Sequence, residues 1–394
     1  MSFARIDLPA IAANVRQFRR LLPATTLFGA VVKADGYGHG AVPIARAALD
    51  AGADWLMVAT VHEGIALRAA GLVARVLVLS PTDPREAATL VRHGLTPLIA
   101  HRAQADALAQ AARDAGLPPP RVHVKVDTGL GRYGIAAADA VPFMRALAAC
   151  DGIAVEGIAT HFATADQPDD PFMHVQAARF AAVLAALTRV GLRPPLAHAA
   201  NSGATMQRIA PWDMVRVGIA LYGITPDPAT PQPFPLTPAL GIESAIARVF
   251  SVAPGESVGY GRTFTATEPT RAALIPLGYA DGLMRALSNR GGVLIAGQWC
   301  RLIGRISMDQ CVAALPPALP AAVGDAVVVV GQSGTATQTL AQLADAAGTI
   351  PYELAVGFGA RLQRQLIGAR AVRGDSGPVF LSPGPFPPRE GAGA

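Results

Sequence analysis

Eight times between Leu27 and Gly223, a short apolar or β-branched run gives way to a longer alanine- and leucine-rich stretch. The runs start at Leu27, Asp54, Arg75, Thr96, Arg121, Ala154, Leu196 and Met214, and they read as strands. Between them, Ala41 to Asp50, Glu63 to Ala70, Arg85 to His93, Arg102 to Ala115, Ala138 to Ala149 and Pro171 to Val190 have the lengths and apolar spacing of crossover helices. Glycine follows several of these stretches, at Gly52, Gly71, Gly94, Gly116 and Gly191, where a helix end favours a left-handed residue. Strand and crossover in alternation make a parallel α/β sheet, and eight such units close into a (β/α)8 barrel of the TIM type. A doubly wound open sheet is the competing arrangement.

The pattern changes after the proline-rich stretch from Pro226 to Pro238. Strand-like pieces with short turns follow, at Ala245 to Val252, Ala272 to Leu277, Val293 to Ile306 and Ala326 to Val330, with one helical segment from Thr339 to Ala347. A chain of 394 residues exceeds one typical core, and a composition 51% hydrophobic and 15% charged supplies apolar surface for more than one. The expected organisation is an amino-terminal barrel over residues 1–235, a predominantly β domain over 236–373 and a flexible tail over 374–394.

Of 33 lysines and arginines, only Lys33 and Lys125 are lysines. Arginine replaces lysine as a solvated charge but offers no neutral primary amine, so lysines that survive such a skew are candidates for covalent chemistry. Each stands where an apolar run hands over to a glycine-rich turn, Ala34-Asp35-Gly36-Tyr37-Gly38-His39-Gly40 in one case and Asp127-Thr128-Gly129-Leu130-Gly131-Arg132 in the other. These are carboxyl ends of strands, where parallel α/β folds keep their catalytic groups. The same rim collects Arg132, His161, Asn201, Ser202 and Arg216. Singly, His161 reads equally as a satisfied core histidine and Asn201-Ser202 as a helix cap; together the set suits an anionic cofactor.

A formal charge of +5 agrees with a phosphate-bearing ligand. The arginines are scattered, without a basic block or an aromatic platform, which argues against nucleic acid. Cys150, Cys300 and Cys311 lack the spacing of a disulfide framework or a zinc site, and no metal is expected. The amino terminus lacks a secretory core and no apolar run reaches transmembrane length, so a cytoplasmic protein without membrane contact is expected.

Val32-Lys33-Ala34-Asp35-Gly36-Tyr37-Gly38-His39-Gly40 resembles the signature of the alanine racemase family. The resemblance continues in order through Lys125 to Arg132, Thr160-His161-Phe162, Ala200-Asn201-Ser202, Arg216 to Gly223, Gly259-Tyr260-Gly261, Gly278 to Gly282, Arg305-Ile306-Ser307-Met308-Asp309 and Ile350-Pro351-Tyr352-Glu353. Two positions depart from the common pattern, Gly36 and Ser307.

That resemblance implies that Lys33 holds pyridoxal 5′-phosphate as a Schiff base and serves as the base on the D-alanine face, with Tyr260 of a partner subunit on the L-alanine face. It implies that Tyr37, Ser202, Tyr352 and the amides of Gly218 and Ile219 hold the phosphate, with His161, Asn201 and Arg216 lining the rest of the cofactor site. Arg132 is assigned to the cofactor's phenolic oxygen and, with the Met308 amide, to the substrate carboxylate, Lys125 to carbamylation, and Asp166, Tyr279, Arg285, Arg305 and Tyr352 to the entrance. A head-to-tail homodimer follows from the shared site. D-alanine for peptidoglycan, or alanine catabolism, is the implied role. Weighed against this are a broader-specificity or serine racemase, a decarboxylase with the same cofactor and an appended β domain, a cofactor-free Schiff-base aldolase and a non-catalytic cofactor carrier; Tyr260 speaks against the decarboxylase, and the β-rich half with its Tyr260 against the carrier.

Overall fold

The computed structural model describes residues 2–369, so the stretch expected as a tail, 374–394, lies outside the described residues. The chain divides into two compact units, one from Ala10 to Pro238 and one joining the residues before Ala10 to those from Ala239 on.

After β1 (Phe3–Asp7), which belongs to the second unit, come β2 (Leu27–Val31), β3 (Trp55–Val58), β4 (Arg75–Val78), β5 (Thr96–Ile99), β6 (Arg121–Asp127), β7 (Ile135–Ala136), β8 (Ala154–Ala159), β9 (Leu196–His198) and β10 (Met214–Val217). Their order is β5-β4-β3-β2-β10-β9-β8-β6, and β5 also pairs with β6, so eight strands close a ring to which β7 is a short appendage. Every pairing is parallel. Closure decides for the barrel over the open sheet. All four residues of β3 and of β5 are buried, as happens when helices cover one face of a strand and facing strands the other. Each fully buried Val, Leu or Ile contributes about 1.5–3 kcal/mol.

The crossovers are the helices Ala41–Asp50, Val61–Ala69, Ala87–Arg92, Arg102–Asp114, Ala140–Ala148 and Phe172–Arg189. Val61–Ala69 starts ahead of the expected Glu63 because Thr60 caps it: the Thr60 hydroxyl accepts from the Glu63 amide, and the Glu63 carboxylate accepts from the Thr60 amide.

The second unit carries β11 (Leu240–Ala245), β12 (Arg248–Val252), β13 (Ser257–Val258), β14 (Phe264–Thr265), β15 (Thr270–Ile275), β16 (Gly292–Ile295), β17 (Gln298–Arg301), β18 (Cys311–Leu315), β19 (Ala326–Ser333), β20 (Ala336–Gln338) and β21 (Gln363–Ile367). The largest sheet runs β17-β16-β19-β11-β1-β21, with β20 on β19; β12-β15-β18 and the hairpin β13-β14 are separate. Val252, Val258, Ala266, Ala272 and Ile303 form an apolar cluster within it. Val293 to Ile306, expected as one run, breaks into the β16-β17 hairpin at Ala296 (φ 45°) and Gly297 (φ 78°), the left-handed pair that a two-residue hairpin turn requires. The expected helix is Leu340–Ala347, capped by Thr339, and a second, Pro351–Gly357, follows it.

Candidate active site

Lys33 follows β2 at the carboxyl end of the barrel and opens a short helical turn, Lys33–Tyr37. That turn is left-handed, with φ of 51° at Ala34, 50° at Asp35, 62° at Gly36 and 52° at Tyr37. Three of the four carry a β-carbon, at a cost of roughly 1–2 kcal/mol each, so the turn persists only if it is held from outside. Glu63 holds it from another crossover, and Asp35, within the turn, ties it to the helix that follows. Glu63 Oε1 accepts from the Ala34 amide at 2.7 Å, and Asp35 Oδ1 accepts from the Ala41 amide at 2.8 Å. Within the turn, Gly36 N donates to Val32 O and Gly38 N to Ala34 O, each at 2.9 Å. Lys33 and Tyr37 are thereby presented from one rigid turn. Burial, then Arg132, lowers the Lys33 pKa; Glu63 opposes the shift and Arg216 adds to it.

Facing that turn, Ser202 Oγ accepts from the Gly218 amide at 2.9 Å and more distantly from the Ala220 amide at 3.4 Å, leaving its own O–H to donate. A β-carbon added at Gly218 would stand 2.5 Å from the Tyr37 hydroxyl, so only glycine keeps this corner open. Hydroxyls and strand-end amides after the last two barrel strands make an anion cradle. A phosphate monoester fits its chemistry, and burial, which pushes the Tyr37 phenol up to about 12, keeps that hydroxyl a neutral donor. Ile219, expected to offer its amide, opens the short helical turn Ile219–Tyr222 beside Gly218. Asn201 caps the helix Ser202–Met206, accepting from the Ala204 amide at 3.1 Å.

Arg216, on β10, is 5% exposed and fixed through its two terminal nitrogens. Its Nη2 donates to Thr160 O at 2.9 Å, Ala199 O at 2.8 Å and His161 Nδ1 at 3.0 Å, and its Nη1 donates to His198 Nδ1 at 2.9 Å. Burial lowers the guanidinium to about 10, which leaves it charged at neutral pH. His161 is half-buried by surface, and desolvation together with the charges of Arg216 and Arg132 pushes its pKa well below the usual value.

Lys125, on β6, is 6% exposed and donates to Val126 O at 2.9 Å. Burial first, then Arg216, brings its pKa down to about 7. The loop that carries exposed Arg132 is pinned by Asp127, whose carboxylate accepts from the amides of Gly129 at 2.8 Å, Gly131 at 3.2 Å and Arg132 at 3.1 Å. Asp166 is half-buried in the loop after β8, with its carbonyl accepting from the Thr230 hydroxyl.

In the second unit, Tyr260 is 73% exposed on a turn whose Gly259 has φ of 75°; a β-carbon there would lie 3.1 Å from the Arg305 amide nitrogen. Tyr279 N donates to Ser307 O at 3.1 Å and Ala280 N to Met308 O at 3.0 Å, so the Tyr279 and Met308 segments are bonded together. Met308 is 53% exposed, Arg285 and Arg305 are exposed, and Tyr352 is half-buried in Pro351–Gly357. The unit thus groups Tyr260 with Arg305, and Tyr279 with Met308.

Glu63, Asp127, His198 and Tyr222 are absent from the sequence-derived set. Tyr222 donates to Val31 O at 2.9 Å and packs its ring 4.8 Å from that of Tyr37. Only Glu63 had a readable signal, the Thr60-x-x-Glu63 spacing of a capping box.

A family model for the alanine racemase N-terminal domain matches residues 6–226, and one for the alanine racemase C-terminal domain matches residues 239–366. The alanine racemase of Symbiobacterium thermophilum is 44% identical over 364 residues, covering 92% of this chain and 96% of that protein. Among solved structures, the alanine racemase of Streptomyces coelicolor superimposes with a TM-score of 0.88 at 39% identity, over 93% of this chain and 98% of its own. That of Bartonella henselae with covalently bound pyridoxal phosphate gives 0.82 at 28% identity, over 93% and 99%. No helix among the described residues is long and apolar enough to cross a membrane.

Proposed function

The chain belongs to the alanine racemase family and is an isomerase of that kind, and from this we propose that it interconverts L- and D-alanine with pyridoxal phosphate and two opposed bases, Lys33 and Tyr260 of a second copy. The observation that carries this reading is the state of Lys33: a primary amine at the end of the first barrel strand, held toward its neutral form by burial and by Arg132. Bound pyridoxal phosphate withdraws electrons from the amino acid's α-carbon and so acidifies its proton. Every other task falls to side chains.

Ser202, Tyr37, Tyr352 and the amides of Gly218 and Ile219 hold the phosphate, with Asn201 fixing the turn that carries Ser202. Arg216 would face the pyridine nitrogen, charged and unable to give up its proton there, with His161 orienting it. Arg132 and the Met308 amide receive the substrate carboxylate. Inversion needs a proton taken on one face and returned on the other, so a single base does not suffice. The Lys33 amine serves the D-alanine face and the Tyr260 hydroxyl the other. Asp166, Tyr279, Arg285 and Arg305 form the entrance, where charged and aromatic groups admit a small zwitterion. Lys125 takes up carbon dioxide, and the resulting carboxylate steadies Arg132.

Polarimetry on protein supplied with pyridoxal phosphate tests the assignment. The rotation of an L-alanine solution decays to zero, faster than that of other L-amino acids; an unchanged rotation defeats the reading, and a faster decay with L-serine moves it to a serine racemase.

A further inference from the structure

Barrel interiors are ordinarily packed with layers of branched aliphatic side chains, yet a polar line runs through this one. From Arg216, the line passes to His198 Nδ1 at 2.9 Å, from His198 Nε2 to His123 Nδ1 at 2.8 Å, and ends with His123 Nε2 3.5 Å from Glu156 Oε2. Glu156, near the start of β8, is gripped by Arg75 at 2.6 Å and Arg121 at 2.7 Å. His123 and His198 are completely enclosed. The fold makes room for them: a β-carbon at Gly157 would lie 2.5 Å from His123 Nδ1, and the pairing of β6 with β8 slips register beside His123.

Only one arrangement of protons satisfies this line. Arginine donates and never accepts, so His198 Nδ1 is unprotonated and its single N–H sits on Nε2, aimed at His123. His123 accepts that proton at Nδ1 and carries its own on Nε2, toward Glu156. A second proton on either ring would set two N–H groups against each other. Burial agrees, holding both imidazoles below their usual pKa. At 3.5 Å the last contact is longer than an ordinary hydrogen bond, and His123 Nε2 has no hydrogen-bond partner among the described residues, so Glu156 acts as a charge on the dipole of a neutral ring.

We propose that Glu156 is a positioning residue for Arg216, acting through His123 and His198: the carboxylate holds the His123 proton on Nε2 and so reinforces, from the far end, the order in which His198 offers its lone pair to the guanidinium. This rests on the proposed function only in that Arg216 faces the cofactor. The proton order itself is measured by nitrogen-15 NMR of histidine-labelled protein, with and without pyridoxal phosphate. In the unsubstituted protein His123 and His198 are both neutral Nε2–H tautomers with slowly exchanging protons. In Glu156→Gln the His198 proton exchanges about tenfold or more faster, while His161, which accepts from Arg216 off the line, is unmoved. Alanine kcat falls about 10- to 100-fold, with KM within about twofold.

An Nδ1–H or charged ring at either histidine of the unsubstituted protein overturns the proposal, as does unaltered His198 exchange in Glu156→Gln. If Glu156→Gln does not fold, Glu156→Asp, which keeps a carboxylate for Arg75 and Arg121 but draws it back from His123, must release the same His198 proton, and unaltered exchange there overturns the proposal. Correct tautomers without racemisation would leave the line standing and remove the proposed function instead.

Discussion

Lys33 and Tyr260 are unlike bases in unlike surroundings, an amine half-buried beside Arg132 and a phenol 73% exposed on its own unit. Tyr260→Phe removes one hydroxyl and should lower racemisation by about 100- to 10,000-fold, the worth of a positioned acid-base group. Exchange of the D-alanine α-proton with deuterated water should survive in part, because Lys33 serves that face; equal loss of exchange from both enantiomers contradicts the division of labour. Lys125 makes a second prediction. Its folded pKa of about 7 lies below the ordinary 10.5, so between those values the unfolded chain binds more protons than the folded one. While the amine is unmodified, stability therefore rises with pH across that window and its burial is most costly below it. Carbamylation needs the neutral amine, so native mass spectrometry should find one added carbon dioxide at about pH 8 and none after acidification to about pH 5, where the amine is protonated. A constant mass across that change removes Lys125 from the assigned role.

At the level of elements, the cradle depends on how closely two backbones approach. Gly218→Ala would place a carbon 2.5 Å from the Tyr37 hydroxyl, forcing the ring or the strand end aside. Loss of one charge-assisted hydrogen bond, about 1.5–3 kcal/mol, predicts pyridoxal phosphate affinity lower by roughly 10- to 150-fold, with the melting temperature without cofactor little changed. Equilibrium dialysis reads the first and calorimetry the second, and unchanged affinity places the phosphate elsewhere. The same contrast between local and distant causes explains what could be read beforehand. The barrel strands were legible because each is a short run buried on both faces and bounded by glycine or polar residues, signals carried within a few positions. β1 was not, because Phe3–Asp7 becomes a strand by pairing with β11 and β21 near the other end of the chain. The left-handed turn at Ala34, Asp35 and Tyr37 was hidden for a related reason: these residue types do not favour that backbone, and Glu63, which holds it, arrives from another crossover. Lys33, Lys125 and Arg216 announced themselves by type and position, whereas the histidine line depends on how residues of four strands, β6, β8, β9 and β10, come together and on a register slip at His123.

For the molecule as a whole, the proposed reaction is a property of an assembly. If each site takes Lys33 from one copy and Tyr260 from the other, a C2 pair contains two equivalent composite sites and an isolated chain contains none. Tyr260 and Met308, both large and exposed on the second unit, are the surface that such a pair would cover. The arrangement is separable from a single-chain site by complementation. Lys33→Ala and Tyr260→Phe proteins are each inactive, but random reassociation makes about half of the dimers hybrid. In a hybrid, one site collects both substitutions and the other collects neither, so about half of one half, or roughly a quarter of the unsubstituted activity, returns. Were both bases drawn from the same copy, every site in the hybrid would keep one lesion and nothing would return. Differently tagged copies establish that hybrids have formed, and a co-purified hybrid without racemase activity would assign Lys33 and Tyr260 to one chain.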